Sequence, residues 1–303
     1  MTGAQTQRRT RRLTLQRREA LTAWAFVLPA LAGFAVFTFG AIAYSFYISL
    51  TRWELLTDPV FVGLRNYMRL FKDPKFFKYL GNTLYFVVWL VPVVLVTSMG
   101  LAILINKRTR ILTGLYRSAL FVPCITSTVA ISLVWLWILN PDTGIINNLL
   151  RTMGIANPPR WLESTAWAKP ALIVMRVWQM SGYYMVMFLA GLQTIPESLY
   201  EAAEVDGATR WQRTYKITIP MLANTTFVVA IMLVIEAFNI FEAVFVMTEG
   251  GPVGSTTTLM YYIYQQGFQS YNMGYASAVA WVFFAMILVV TLVQYAFRGE
   301  QKM

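Results

Sequence analysis

Six stretches of this 303-residue chain contain no Asp, Glu, Lys or Arg: Ala20–Thr51, Tyr79–Asn106, Ser118–Pro141, Val177–Pro196, Ile217–Ile235 and Gly250–Phe297. Crossing roughly 30 Å of hydrocarbon takes about 20 apolar residues at a rise of 1.5 Å per residue, and each stretch supplies that length. The last is too polar before Tyr275 to cross whole, because Gly250, Gly251 and Pro252 mark a turn. The expected fold is therefore all-α, a polytopic membrane protein with six transmembrane helices at about 22–50, 82–106, 113–139, 169–193, 219–247 and 275–297. Residues 1–20 are expected to be a basic tail, disordered or lying on lipid, and 21–300 to form one transmembrane domain. Only 13% of the chain is charged, against roughly 25% in soluble proteins.

Lys and Arg in the flanks set the orientation. With the N-terminus cytoplasmic, the inside segments hold six N-terminal arginines, Lys107, Arg108, Arg110, Arg117, Arg210, Arg213, Lys216, Arg298 and Lys302. Both termini are therefore expected on the cytoplasmic side. The first outer loop is the exception, with Arg52, Arg65, Arg69, Lys72, Lys75 and Lys78. Leu64, Tyr67, Met68 and Phe71 in the same loop have helical spacing, which predicts an amphipathic helix on the outer surface. The net charge of +11 reflects topology and attraction to anionic lipid rather than nucleic-acid binding. Arg11 and Arg12 have a twin-arginine look, but five further spans follow and argue against an export signal.

Several chemistries are excluded. The chain has one cysteine, Cys124, and no histidine, which removes internal disulfides, thiolate clusters, histidine triads and histidine proton relays. No GxxxxGK[ST] phosphate loop and no metal-ligand spacing occurs, so neither nucleotide nor metal is expected on this chain. Asp58, Asp73 and Asp142 are scattered on outer loops, which disfavours a membrane-embedded glycosyl transferase. An ion-coupled secondary transporter would ordinarily show repeats or broken helices.

Polar residues inside the spans are the candidate functional groups, because they are costly in hydrocarbon. Arg176, Gln179 and Tyr183 lie on one stripe of the fourth helix, and Glu236 and Asn239 lie at i and i+3 of the fifth. The two charges read as a packing pair. Gln179, Tyr183 and Asn239 read as the lining of a solute path. Glu236 and Glu242, six residues apart, fall on different faces. Pro92 and Pro123 are expected to kink the second and third spans.

Between spans four and five lies a soluble phrase, EAAEVDGATRWQRTYKITIP, from Glu201 to Pro220. Pro196 and Glu197 open a helix, Glu201 and Glu204 make its first half acidic, Gly207 turns the chain, and Arg210, Arg213 and Lys216 follow. The phrase resembles the EAA loop of binding-protein-dependent ABC importer permeases, whose pattern is EAA, three residues, Gly, nine residues, then Ile, any residue, Leu, Pro. Glu201, Ala202, Ala203, Gly207, Ile217 and Pro220 stand at those places, with Ile219 for Leu. VGLRNY from Val62, LFVP from Leu120, NPDTGIINNLL from Asn140, FLAGLQTIPESLYEAA from Phe188, TEGGP from Thr248 and GYASA from Gly274 are similar to the sugar-permease branch of maltose and glycerol-phosphate type.

The resemblance implies a type I importer permease fold and a non-catalytic subunit sharing the path with a second permease, as a heterodimer. Two ATPase subunits would hold ATP and Mg, and an extracytoplasmic binding protein would deliver a sugar, oligosaccharide, polyol or glycerol-phosphate compound. The coupling loop, 196–218, would dock on an ATPase through Glu201, Ala202, Ala203, Asp206 and Gly207, with Pro220 closing the motif. Maltose-type contacts would map near Arg176, Gln179, Met180 and Tyr183, and near Leu233, Ala237 and Ile240. Several of these are apolar here, leaving Glu236 and Asn239 beside them, or the partner permease, to hold the solute.

Overall fold

A computed structural model describes residues 3–106 and 110–300, so Lys107, Arg108 and Lys302, counted above for orientation, lie outside the described residues. Helix α1 (Gly3–Gly33) runs through a π-helical stretch, Phe34–Gly40, into α2 (Ala41–Ser49). The N-terminal segment expected as a loose tail is thus helical from Gly3 and continuous with the first span. A short hairpin, β1 (Thr51–Arg52) with β2 (Val60–Phe61), leads to α3 (Arg65–Leu70) and α4 (Pro74–Asn106). Helix α3 occupies the loop where an amphipathic helix was expected, but it buries Asn66 and Leu70 and leaves Leu64, Met68 and Phe71 exposed. Helix α4 begins eight residues before the expected 82 and passes through Pro92.

The third span is not one kinked helix. Helices α5 (Arg110–Ile125) and α6 (Thr128–Ile138) meet at 98°, and the break falls at Thr126 and Ser127, not at Pro123. Helix α7 (Ile145–Thr152) lies in the next loop and α8 (Ala168–Gln193) is the fourth span. The coupling phrase contains α9 (Glu197–Val205), α10 (Arg210–Arg213), a π-helical stretch Thr214–Thr218 and α11 (Ile219–Met221). A 65° bend at Leu222 leads into α12 (Ala223–Phe238).

The fifth span, expected unbroken over 219–247, stops again at Asn239 before α13 (Glu242–Met247). Backbone groups freed in hydrocarbon need partners, and here side chains provide them. Thr258 Oγ1 donates to Ile240 O at 2.9 Å, and Asn239 Nδ2 adds a second donor, at 2.8 Å, to the Ile235 O that already accepts the Asn239 N–H. Helix α14 (Leu259–Tyr264) and α15 (Met273–Glu300), the sixth span, complete the chain. Four helices among the described residues are long and apolar enough to cross a membrane, and six spans result when each bent pair counts as one.

The core is built on α4 against α8, with α12 on α4, α5 on α8, α13 on α6 and α15 on α2. Phe86, Leu90 and Val94 of α4, Leu172, Met175, Met185 and Phe188 of α8, and Leu233 of α12 are fully buried. In contrast, the first span presents Phe26, Phe37 and Phe39 outward, a face suited to lipid or another subunit.

At the end of the bundle opposite Glu201, α4 is laced to the segment before α15. Asn82 Nδ2 donates to Gly254 O and Thr257 O at 3.0 and 2.9 Å, and Lys78 Nζ to Val253 O at 2.7 Å. Thr83 Oγ1 accepts from Leu259 N at 2.9 Å. Asp73 Oδ2 accepts from the hydroxyls of both Tyr262 and Tyr275 at 2.7 Å.

Candidate coupling helices and solute path

Helix α9 starts at Pro196, whose extended ψ of 131° makes it the cap rather than the first helical residue, with Glu197 in the first turn. It ends at Gly207, φ +74°, where a residue with a Cβ would be strained although no atom lies within 4 Å of that position. Ala208 N donates to Ala203 O at 2.9 Å and Gly207 N to Glu204 O at 3.0 Å, the paired bonds of a Schellman stop. Two residues on, Thr209 and Gln212 form a reciprocal capping box that starts α10. The sequence therefore encodes the turn locally, helix stop and helix start back to back.

An ion pair, Arg213 to Glu204 at 2.9 Å, joins the two helices. Tyr200 and Thr218 hydroxyls meet at 3.0 Å nearer the bundle. Between them opens a cleft of about 370 Å³ lined by Asn106, Glu197, Tyr200, Glu201, Glu204, Arg210 and Arg213. Glu201, Ala202, Asp206 and Gly207 are exposed, Ala203 is half-buried, and Pro220 is exposed two residues before the bend. Val205 is 89% exposed and Trp211 76%, values that leave these apolar side chains uncovered on an isolated chain. The projection is thus capped by its own residues and exposes large apolar side chains at Val205 and Trp211.

The polar candidates of the fourth and fifth spans, the charge pair and the path residues alike, divide into two sets by exposure. Arg176 and Gln179 are buried; Tyr183 and Asn239 are exposed, and the Glu236 side chain is 51% exposed. Arg176 donates to Gln179 Oε1 at 2.7 Å and to Glu236 Oε1 at 2.8 Å, and Gln179 Nε2 donates to Thr128 Oγ1 at 3.1 Å. The two charges are thus paired with each other, tying α8 to α12, while Gln179 continues the network to the first residue of α6. A guanidinium in hydrocarbon is tolerated in this paired, hydrogen-bonded state. Cys124 reinforces the crossing, its thiol donating to Gln179 O at 2.9 Å and accepting from Tyr183 N at 3.1 Å. Met180, Leu233, Ala237 and Ile240 are buried in the core. What faces outward from this network is Tyr183, Glu236 and Asn239.

Sequence reasoning missed two features. One is the pile of rings just beyond the Asn239 break: Phe241 stacks on Phe245 with centroids 5.5 Å apart, and Tyr264 stands against Phe241 at 5.2 Å and stacks on Phe268 at 5.6 Å. Each helix carries its aromatics at i, i+3 or i+4, a visible signal, but their meeting is tertiary. The other is the Asp73 clasp. Burial raises the Asp73 pKa, yet the tyrosine hydroxyls, the Lys75 N–H and the Lys75 charge together hold it below the ordinary carboxylate value. The Tyr262 hydroxyl is pushed up, first by burial and then by Asp73.

Residues 67–300 match the family described as "Binding-protein-dependent transport system inner membrane component". The chain is 36% identical to the lactose transport system permease protein LacF of Rhizobium radiobacter, over 97% of this chain and 99% of that one. It is 33% identical to the arabinooligosaccharides transport system permease protein AraP of Bacillus subtilis, over 92% and 89%. In structure it resembles a chain of a bacterial ABC transporter that imports the acidic polysaccharide alginate, with a TM-score of 0.84 over 95% of this chain and 99% of that one, at 24% identity.

The chain belongs to the binding-protein-dependent transport system inner membrane component family: it is a permease subunit of an ABC importer with the type I fold. Broken helices, a feature expected of an ion-coupled carrier, do occur here, but family membership places them in an ABC permease.

Proposed function

We propose that this permease forms half of a path for a sugar or oligosaccharide, with a second permease as the other half. Two ATPase subunits hold ATP and Mg, and an extracytoplasmic binding protein delivers the solute. The lactose and arabinooligosaccharide transport roles of the relatives support the carbohydrate class. Both termini and the α9–α10 projection lie on the cytoplasmic side, in accord with the Lys and Arg bias of the flanks.

The observation that carries the coupling role is the exposed Glu201 one helical turn from uncovered Val205, with Trp211 uncovered on the next helix and the turn between them satisfied locally. Glu201 meets a basic group of the ATPase, the alanines admit close approach, and Gly207 holds the turn. ATP-driven closure of the ATPase pair moves the docked projections together and tips the bundle, a two-state element biased from both ends. In the path, Tyr183, Glu236 and Asn239 contact the solute by ring face and hydrogen bond, and Arg176 and Gln179 hold them in place.

The test is to co-express the chain with its operon neighbours, reconstitute the complex with its binding protein, and measure solute-stimulated ATP hydrolysis across a panel of sugars. A carbohydrate is expected to stimulate. Tyr183→Ala and Asn239→Ala should change the solute dependence while the ATPase subunits still copurify. Copurification without stimulation by any carbohydrate would overturn the substrate class, and unchanged solute dependence in both variants would overturn the path.

A further inference from the structure

The basic first loop departs from the Lys and Arg bias of the rest of the chain, and the transport reading gives it no task. Its cations are not spread evenly. Arg52, Arg65 and Arg69 line one cavity of about 370 Å³ with Glu54, Asn66 and Asn272. Among the described residues no guanidinium of the three forms an ion pair or donates a hydrogen bond, and Glu54 is the only acidic residue on the rim. The Arg69 guanidinium carbon stands over the Tyr275 ring, 4.6 Å from its centroid, a contact that holds the side chain while using none of its N–H donors in a hydrogen bond.

The cup has a fixed floor. Asn66 Nδ2 donates to both Ser49 O and Thr51 O at 2.8 Å, and Met273 N donates to Trp53 O at 2.9 Å. Gly274 lies so close to Thr51 that an added Cβ would overlap the Thr51 carbonyl. Helices α2 and α15 are thereby locked where they enter the cup.

Down the same helix pair runs an apolar groove of about 360 Å³, lined by Ala41, Ile42, Ser45, Ala280, Trp281 and Phe284. Ser45 lies four residues inside the end of α2 at Ser49 and Ala280 seven inside the start of α15 at Met273, so the groove begins roughly 6–11 Å along the helices from the cup at 1.5 Å per residue. A cationic cup above an apolar groove in a membrane-spanning seam fits a ligand with an anionic head and an acyl tail. Guanidinium groups suit a phosphate because their N–H forks match its oxygens.

We propose that α2 and α15, with the first loop, form a binding site for an anionic glycerophospholipid of the leaflet opposite the coupling helices. Its phosphate sits among Arg52, Arg65 and Arg69, and an acyl chain lies in the groove beside Trp281 and Phe284. A free anion would leave the groove without purpose, and an apolar helix of another subunit would leave the cup without a counter-charge.

The test uses the intact transporter, delipidated in detergent and titrated with phosphatidylglycerol, phosphatidylcholine or inorganic phosphate, with bound lipid counted by native mass spectrometry. Phosphatidylglycerol is expected to bind at least about tenfold more tightly than phosphatidylcholine, with affinity falling roughly fivefold for each of Arg52→Gln and Arg65→Gln. Lys72→Gln, outside the cup, should leave it unchanged, and Ala280→Leu, which fills the groove, should weaken both lipids. Equal binding of the two lipids, or an equal fall with Lys72→Gln, would overturn the site. So would displacement of phosphatidylglycerol by millimolar phosphate, or cross-linking of a cysteine placed at Ala280 to the partner permease.

Discussion

The two ends of this bundle are built on opposite plans. At the end bearing Asp73, polar side chains reach across 170 residues or more of sequence, from Lys78, Asn82, Thr83 and Asp73 to the segment around Val253–Tyr275. At the coupling end, the bonds that shape the projection are local: a Schellman stop, a capping box and an ion pair nine residues apart. The first end is closed by its own chain. The second is shaped in advance and left uncovered, with Val205 and Trp211 exposed. Long-range clasping holds the helices together at one end, whereas local caps alone hold the shape of the projection at the other, as the proposed coupling role requires.

Substitutions should separate the two plans, and the largest effect is expected at Glu201. Glu201→Lys reverses an exposed charge that has no partner within the described residues, so stability should move by no more than about 0.5 kcal/mol while uptake and coupled ATP hydrolysis fall to background. Normal uptake with this variant would show that the exposed charge of the projection meets no partner.

Asp73→Asn should do the reverse. Two tyrosine hydroxyls lose a charged acceptor, which costs about 1.5–3 kcal/mol before discounting for partial exposure, read as a lowered unfolding midpoint of the purified protein. The folded carboxyl titrates below its ordinary value, so its contribution is complete at neutral pH and is lost as pH falls through that lowered value. Wild type should therefore lose clasp stability only in acid, below about pH 3.9, and Asp73→Asn should lack that component. An identical acid profile in both proteins would remove the carboxylate from the account.

The smallest effect is expected for Gly207→Ala. With no atom near the added Cβ, the cost comes only from φ, about 1–2 kcal/mol confined to the turn. It should appear as faster amide exchange in 203–208, with the unfolding midpoint of the bundle nearly unchanged. A global loss equal to that of Asp73→Asn would show the two ends to be coupled rather than separately built.

Much of this was legible in advance because it rests on short-range rules. The spans follow from charge-free length, and the coupling turn from Glu201, Gly207 and Pro220 at fixed spacing. The Arg176–Glu236 pair follows from the cost of an unpaired charge in hydrocarbon. The breaks at Thr126 and Asn239 were not legible, because Pro123 pointed three residues away. Asn239 becomes a helix end only when Thr258, 19 residues on, captures the Ile240 carbonyl. Gln179 read as a path residue from its stripe alone; Thr128 and Arg176, which occupy its amide, come from a neighbouring helix and from its own.

From the residues alone it follows that the chain crosses a membrane, that it contains no GxxxxGK[ST] loop, and that its charged phrase is a helix–turn–helix. These are consequences of composition, transfer energy and capping within a few residues. Which of the polar residues stay exposed follows only from packing. Packing buries Arg176 and Gln179, leaves Tyr183 and Asn239 exposed, clasps Asp73 between two tyrosines, and gathers three arginines of the first loop above an apolar seam. The reason is physical: whether a side chain is spent or free depends on neighbours that the fold, and not the local sequence, brings within hydrogen-bonding distance.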